Sequence, residues 1–149
     1  MSEETNTVRV AIAAPLAPEL CERIAAVDPR VEVVVDQELL PPMRHPADFS
    51  GDPAWSRTPE QQAAYDALLD SAEVLYGIPD VNSQALARTV AANPDLRWVM
   101  TMAAGGGSQV VAAGLSEAEL QRVTFTTSAG VHGVPLAEWA IFGVFCGTK

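Results

Sequence analysis

The feature that most constrains this chain is the alternation, repeated along its length, of short apolar β-branched runs with helix-like segments. Val8-Arg9-Val10-Ala11-Ile12-Ala13 predicts a strand, Pro18 to Val27 a helix with Leu16, Leu20, Ile24 and Val27 at helical spacing, and Val31 to Val35 a second strand. Thr58-Pro59-Glu60-Gln61 combines an N-cap, a first-turn proline and a glutamine three residues on. That combination satisfies orphan amides and starts a helix running to about Ser71. Glu73 to Gly77 predicts the third strand, Ser83 to Ala92 the next helix, and Leu96 to Met102 the fourth strand. A small helical segment follows the glycines and stops near Gly114, a second caps itself with Ser116 and Glu119, and Val123 to Thr127 supplies a fifth strand.

Near-continuous apolar strands joined by helical crossovers imply a parallel sheet covered on both faces. The expected fold is therefore α/β, a three-layer flavodoxin-like or Rossmann-like domain with a mainly parallel five-stranded sheet over residues 1–133. A chain of 149 residues is long enough to bury one continuous core. With 48% hydrophobic and 19% charged residues it gains more from burial than a disordered chain would. The net charge of -10 raises the cost of approaching phosphate backbones or anionic lipid, so neither nucleic acid nor membrane is an expected partner. Met1 to Val10 lack the positive start and long apolar core of a secretory signal, and a cytoplasmic location is expected. Cys21 and Cys146, without a CxxC partner, are expected to be reduced and buried, and two histidines, His45 and His132, are too few for a zinc site; no metal is expected.

Open parallel sheets bind ligands beyond the carboxyl ends of their strands. Three segments fall on that edge: Gly77-Ile78-Pro79-Asp80, Ala103-Ala104-Gly105-Gly106-Gly107-Ser108, and Ser128-Ala129-Gly130-Val131-His132-Gly133. The triple glycine would let an anion approach the backbone amides of a turn, although tight turn geometry explains glycines there equally well. It is not a dinucleotide fingerprint, because Gly105-x-Gly107 would need glycine where Val110 stands, and no Walker motif or nucleophile elbow is present. Asp36 to Arg57 is a long irregular stretch, an active-site loop, a partner-binding arm or a mere insertion, and its Arg44 is a candidate carboxylate clamp or an ordinary surface ion pair. His132 can bond a ligand or fix its turn, and Glu138 is expected near a cleft or bonded to backbone or an arginine, in an orienting or domain-joining role. From Val134 to Cys146 the predicted helix is apolar on almost every face, which calls for protein on both sides, its own domain on one and a second domain or subunit on the other.

Three stretches resemble the D-isomer-specific 2-hydroxyacid dehydrogenase family, which includes glyoxylate/hydroxypyruvate reductases and D-3-phosphoglycerate dehydrogenases. They are Ala72 to Gly77, Leu96 to Gly105, and Thr124 to Ala140 with its Gly130-Val131-His132 and Ala137-Glu138 pairs. The resemblance implies the N-terminal substrate-binding domain of such an enzyme, with residues 134–149 as a crossing helix leading to an absent nucleotide-binding domain. It implies that the Ala104, Gly105 and Gly106 turn offers amides to the carboxylate of a small 2-oxo or 2-hydroxy acid, with Gly77 and Ile78 lining the same cleft. Many members carry Gly-Val-Asp in that turn where this chain has Gly105-Gly106-Gly107. NAD or NADP would bind the missing domain together with all the catalytic residues, so none is expected in this chain, which should be inactive alone and form a homo-oligomer or a swapped dimer. The alternative is a stand-alone flavodoxin-like binding or regulatory module acting through its apolar C-terminal helix.

Overall fold

A computed structural model describes residues 7–147. Five strands, β1 (Val8–Ile12), β2 (Val31–Val34), β3 (Val74–Tyr76), β4 (Trp98–Met100) and β5 (Thr124–Thr126), form one sheet in the order β2-β1-β3-β4-β5. All four pairings are parallel. The helices are α1 (Pro18–Ala25), α2 (Pro59–Asp70), α3 (Ser83–Ala92), α4 (Gly107–Ala112), α5 (Glu117–Arg122) and α6 (Gly133–Gly147). The domain is thus the three-layer α/β fold read from the alternation. Both anticipated capping boxes are present: Thr58 with Gln61 opens α2, and Ser116 with Glu119 opens α5.

Connection handedness decides which helix lies where. The chain steps one way from β1 to β2 and the other way from β2 onward to β5, so right-handed crossovers set α1 on one face and α2 to α5 on the other. Register then sorts the side chains. Ala11, Leu75 and Val99 share the face toward α2 to α5, where they are fully buried together with Leu69, Leu86, Val90 and Leu96.

The opposite face carries Val10, Val74, Tyr76, Trp98 and Met100, and it is only half covered. Among the described residues a single helix, α1, lies over it, leaving a groove of about 430 Å³ between Ile24 of α1, Val27 just after it, and the strand residues Val8, Val74, Tyr76, Trp98 and Met100. Helices lie over both faces, as expected, but the α1 face is covered incompletely. This also explains α1 itself, whose predicted stripe is turned: Cys21 is its buried residue, while Leu20 and Val27 are exposed and Ile24 is half-buried beside the groove.

The departure is greatest at α6. Every one of its 15 residues is exposed, so the helix is not buried in its own domain, whereas its sequence called for the domain on one side. Cys146, on this helix, is exposed rather than buried; Cys21 is buried as expected, burial pushes its thiol pKa up, and both are free thiols. No helix among the described residues is long and apolar enough to cross a membrane.

Candidate ligand edge at the β1/β3 switch point

The strand order reverses between β1 and β3, so the loop after β1 turns toward one face and the loop after β3 toward the other, opening a crevice at their carboxyl ends. Gly77, directly after β3, has φ +97°, and a Cβ there would lie 2.7 Å from the Ala14 Cβ. Glycine is therefore required twice over, by backbone sign and by the close approach of β1. The irregular 36–57 segment folds over this edge. Pro15, Leu16, Met43, Arg44, His45, Phe49, Tyr76 and Met102 together enclose a cleft of about 600 Å³ with a largely apolar wall. Ile78, nearly fully buried, lines a smaller space beneath it with Ala14, Phe49, Met102 and Ala103. Ile78 thus borders this smaller space, and Gly77 precedes it directly after β3.

At the next strand end, Ala104 and Gly105 are exposed. The N–H groups of Ala104, Gly105 and Gly107 have no partner among the described residues, so this turn presents unpaired donors. Gly106 does not share that role. Its N–H donates to the Ala103 carbonyl at 3.1 Å, its φ of -56° is ordinary helical backbone, and it is buried against Thr101. A Cβ on Gly106 would fall onto the Thr101 hydroxyl and Cβ, so the residue is small to fit a neighbouring side chain rather than to cradle a ligand. This overturns the expectation that Gly106 lends an amide to the carboxylate.

Arg44 lines the cleft, but its fork is engaged. Asp48, whose side chain is buried, accepts from Arg44 Nε at 2.6 Å, Arg44 Nη2 at 2.9 Å, the Arg44 N–H at 3.1 Å and the Gly51 N–H at 3.2 Å. The arginine beside it holds the Asp48 carboxyl well below the usual carboxylate range. Because the folded value is depressed, the contribution of this pair is complete above the unfolded carboxylate value, about pH 4, and is lost as pH falls through the folded value. Backbone amide resonances of Met43 to Phe49 are therefore expected to broaden as the protein is taken from about pH 4 toward pH 2. In Asp48→Asn the same signals are already broad at neutral pH; a loop insensitive to both acid and the substitution would contradict this role.

Arg57 is the residue sequence reasoning missed. Its side chain is only 5% exposed, donates from Nη1 to Asp80 Oδ1 at 2.7 Å and from Nε to the Leu39 carbonyl at 2.6 Å, and stacks 3.6 Å from the Tyr65 ring centroid. Tyr65 in turn donates its hydroxyl to the Ala13 carbonyl at 2.8 Å. The 36–57 segment is thus tied simultaneously to α2, to the end of β1 and to the turn after β3. That turn is strained: Asp80 and Val81 have φ of +52° and +51°, a costly state for a β-branched residue. The Arg57 pair on Asp80 and a 2.8 Å bond from Gln109 Nε2 to the Val81 carbonyl hold it in place.

His132 and Glu138 do not join this cleft. His132 is exposed in the turn before α6, and Glu138 is exposed on α6 with no ion pair among the described residues. The expected bonding of Glu138 presumed a buried helix; in water its charge needs no partner. No cluster of three or more metal-ligating side chains occurs among the described residues. Comparisons with protein-family models, curated proteins and solved structures find no match to this chain. What the edge can bind follows from its own geometry and charge.

Proposed function

We propose that this domain is the substrate side of an NAD(P)-dependent oxidoreductase that interconverts a small 2-oxo acid and a D-2-hydroxy acid, in the manner of glyoxylate/hydroxypyruvate reductases or D-3-phosphoglycerate dehydrogenases. The observations that support it are the unpaired Ala104 and Gly105 amides in the turn after β4 and an apolar cleft at the same sheet edge, bordered by the 36–57 segment and by Met102 just after β4. Backbone amides are suited to a carboxylate in an acidic protein because they attract it without a fixed positive charge. In this reading Ala104 and Gly105 orient the carboxylate, Ile78 and Gly77 set the depth of the crevice, and Phe49 and Met102 exclude water from the reacting carbon. Arg44 acts at the rim, exchanging one of its bonds to Asp48 for the ligand. The nicotinamide cofactor and the hydride it supplies belong to a second, nucleotide-binding domain.

Glyoxylate or hydroxypyruvate is accordingly expected to raise the melting temperature of the purified protein by a few degrees at about ten times the dissociation constant. Glycolaldehyde, which lacks the carboxylate, is expected to leave it unchanged. With NADH and either acid, no absorbance loss at 340 nm above the uncatalysed rate is expected from this chain. Equal shifts with acid and aldehyde, no shift at all, or NADH oxidation would each contradict the reading. The exposure of α6 favours a second reading, a binding module that acts through that helix; it gains weight if the acids do not bind.

A further inference from the structure

We infer that a second cavity, walled by residues 50–57, α2 and the turn after β3, binds a neutral polyhydroxylated ring of the pyranose class. It encloses about 370 Å³, within the range of small-molecule sites, and no residue that lines it also lines the 600 Å³ cleft. The inference therefore does not depend on what the β1/β3 edge takes. The polar side chains of this cavity leave hydrogen-bonding capacity unused. Asp80 spends Oδ1 on Arg57 and Asp52 spends Oδ1 on the Ala54 N–H, while among the described residues the Oδ2 atoms of both, and the hydroxyls of Ser50 and Ser56, make no bond. Arg57 decides what can join them. Its Nε and Nη1 are bonded to the Leu39 carbonyl, Gln62 and Asp80, but its Nη2 is buried without an acceptor on a side chain only 5% exposed.

A buried charged donor without an acceptor is costly, so a ligand that brings an acceptor to Nη2 gains more there than on an exposed arginine. The Trp55 ring centroid lies 5.2 Å from the guanidinium carbon, and the ring is half-buried with its indole N–H unbonded among the described residues. A shift of that ring admits a ligand to Nη2. Charge then selects the class. Two carboxylates and one guanidinium line the cavity, so an anion that suits Arg57 is repelled by Asp52 and Asp80. A cation suits the carboxylates but brings no acceptor and is repelled by Arg57. A neutral ring with several hydroxyls meets both demands: its O–H groups donate to Asp52 and Asp80, one of its oxygens accepts from Nη2, and its C–H face packs on Trp55. Ser50 and Ser56 add two hydroxyls that either donate or accept.

Titration of the purified 15N-labelled chain with the methyl pyranosides of glucose, galactose and mannose, followed by amide and indole N–H shifts, tests the inference. At least one glycoside is expected to give saturable shifts centred on Ser50 to Ser56, the Trp55 indole and Asp80, with a dissociation constant on the order of 1 mM. Inorganic phosphate and choline, as anion and cation probes, are expected to give none of comparable size there. Ser56→Ala removes an exposed hydroxyl that has no partner among the described residues, and Asp52→Asn keeps an Oδ1 that accepts from Ala54, so both spare the fold. Each is expected to weaken binding of the glycoside about threefold to tenfold. Glu117→Gln, on α5 and away from the cavity, is expected to leave it unchanged. Failure of all three glycosides, shifts centred elsewhere, or tighter binding of phosphate or choline at these amides would overturn the inference. So would Ser56→Ala and Asp52→Asn chains that bind as well as the unaltered one, or a loss of equal size in Glu117→Gln.

Discussion

Gly106→Val is expected to lower folding stability by about 3–4 kcal/mol, combining overpacking with loss of the Thr101 hydroxyl bond. Thr101 is fully buried at the end of β4, where its N–H donates to the Thr126 carbonyl at 2.8 Å and its hydroxyl donates to the Ala103 carbonyl at 3.3 Å. It has no room to retreat from a side chain at 106. Urea unfolding should show a lower midpoint with an unchanged slope. The pairing of the two residues makes the test specific: in a Thr101→Ala background, Gly106→Ala should cost less than it does beside threonine, and additive effects would contradict the steric account. The outcome also separates two functions of the glycine run. Substitution at Gly105, where a Cβ meets nothing within 4 Å, should leave stability nearly unchanged and act on ligand binding instead.

The second large effect is expected at Arg57. Truncation to alanine removes the guanidinium from the Tyr65 ring, leaves the Leu39 carbonyl without its donor, and deprives Asp80 of its ion pair. The summed cost is about 2–4 kcal/mol, because the arginine side chain is almost wholly buried whereas Asp80 keeps partial access to water. The loss should not be uniform. Amide exchange should accelerate in the 36–57 segment and around Asp80 and Val81, while α3 and β4 keep the protection set by global unfolding. Arg57→Lys should recover little, since an ammonium cannot stack on Tyr65 and hold the Leu39 carbonyl together. Uniformly faster exchange would show that Arg57 supports the whole core rather than this loop.

What was legible in the sequence was local or periodic. The strands announce themselves by β-branched runs, and the starts of α2 and α5 by Thr58 with Gln61 and Ser116 with Glu119, because a capping box is written within four residues. The position of Gly77 and Ile78 at the carboxyl end of β3 was legible because that edge follows from the strand pattern. Contacts between distant segments were not. Nothing near Arg57 in sequence says that Asp80, 23 residues on, will be its partner, or that Val81 will be forced to positive φ. Gly106 looked like its neighbour Gly105 because a glycine packed against a threonine and a glycine opened toward a ligand are the same letter. The bare half of the sheet was hidden for a related reason. Tyr76, Trp98 and Met100 read as buried strand residues whichever element covers them, and periodicity cannot say which helix does.

In the proposed function the turn after β4 holds the carboxylate of a small 2-oxo acid. Titration of uniformly 15N-labelled protein with glyoxylate, followed by amide chemical shifts, tests this most directly. The account predicts saturable shifts centred on Ala104 and Gly105, with smaller ones at Gly77, Ile78 and the Met43 to Phe49 segment, and none of comparable size with glycolaldehyde. Absence of shifts at those two amides, or a response centred on the apolar groove or on α6, would contradict it.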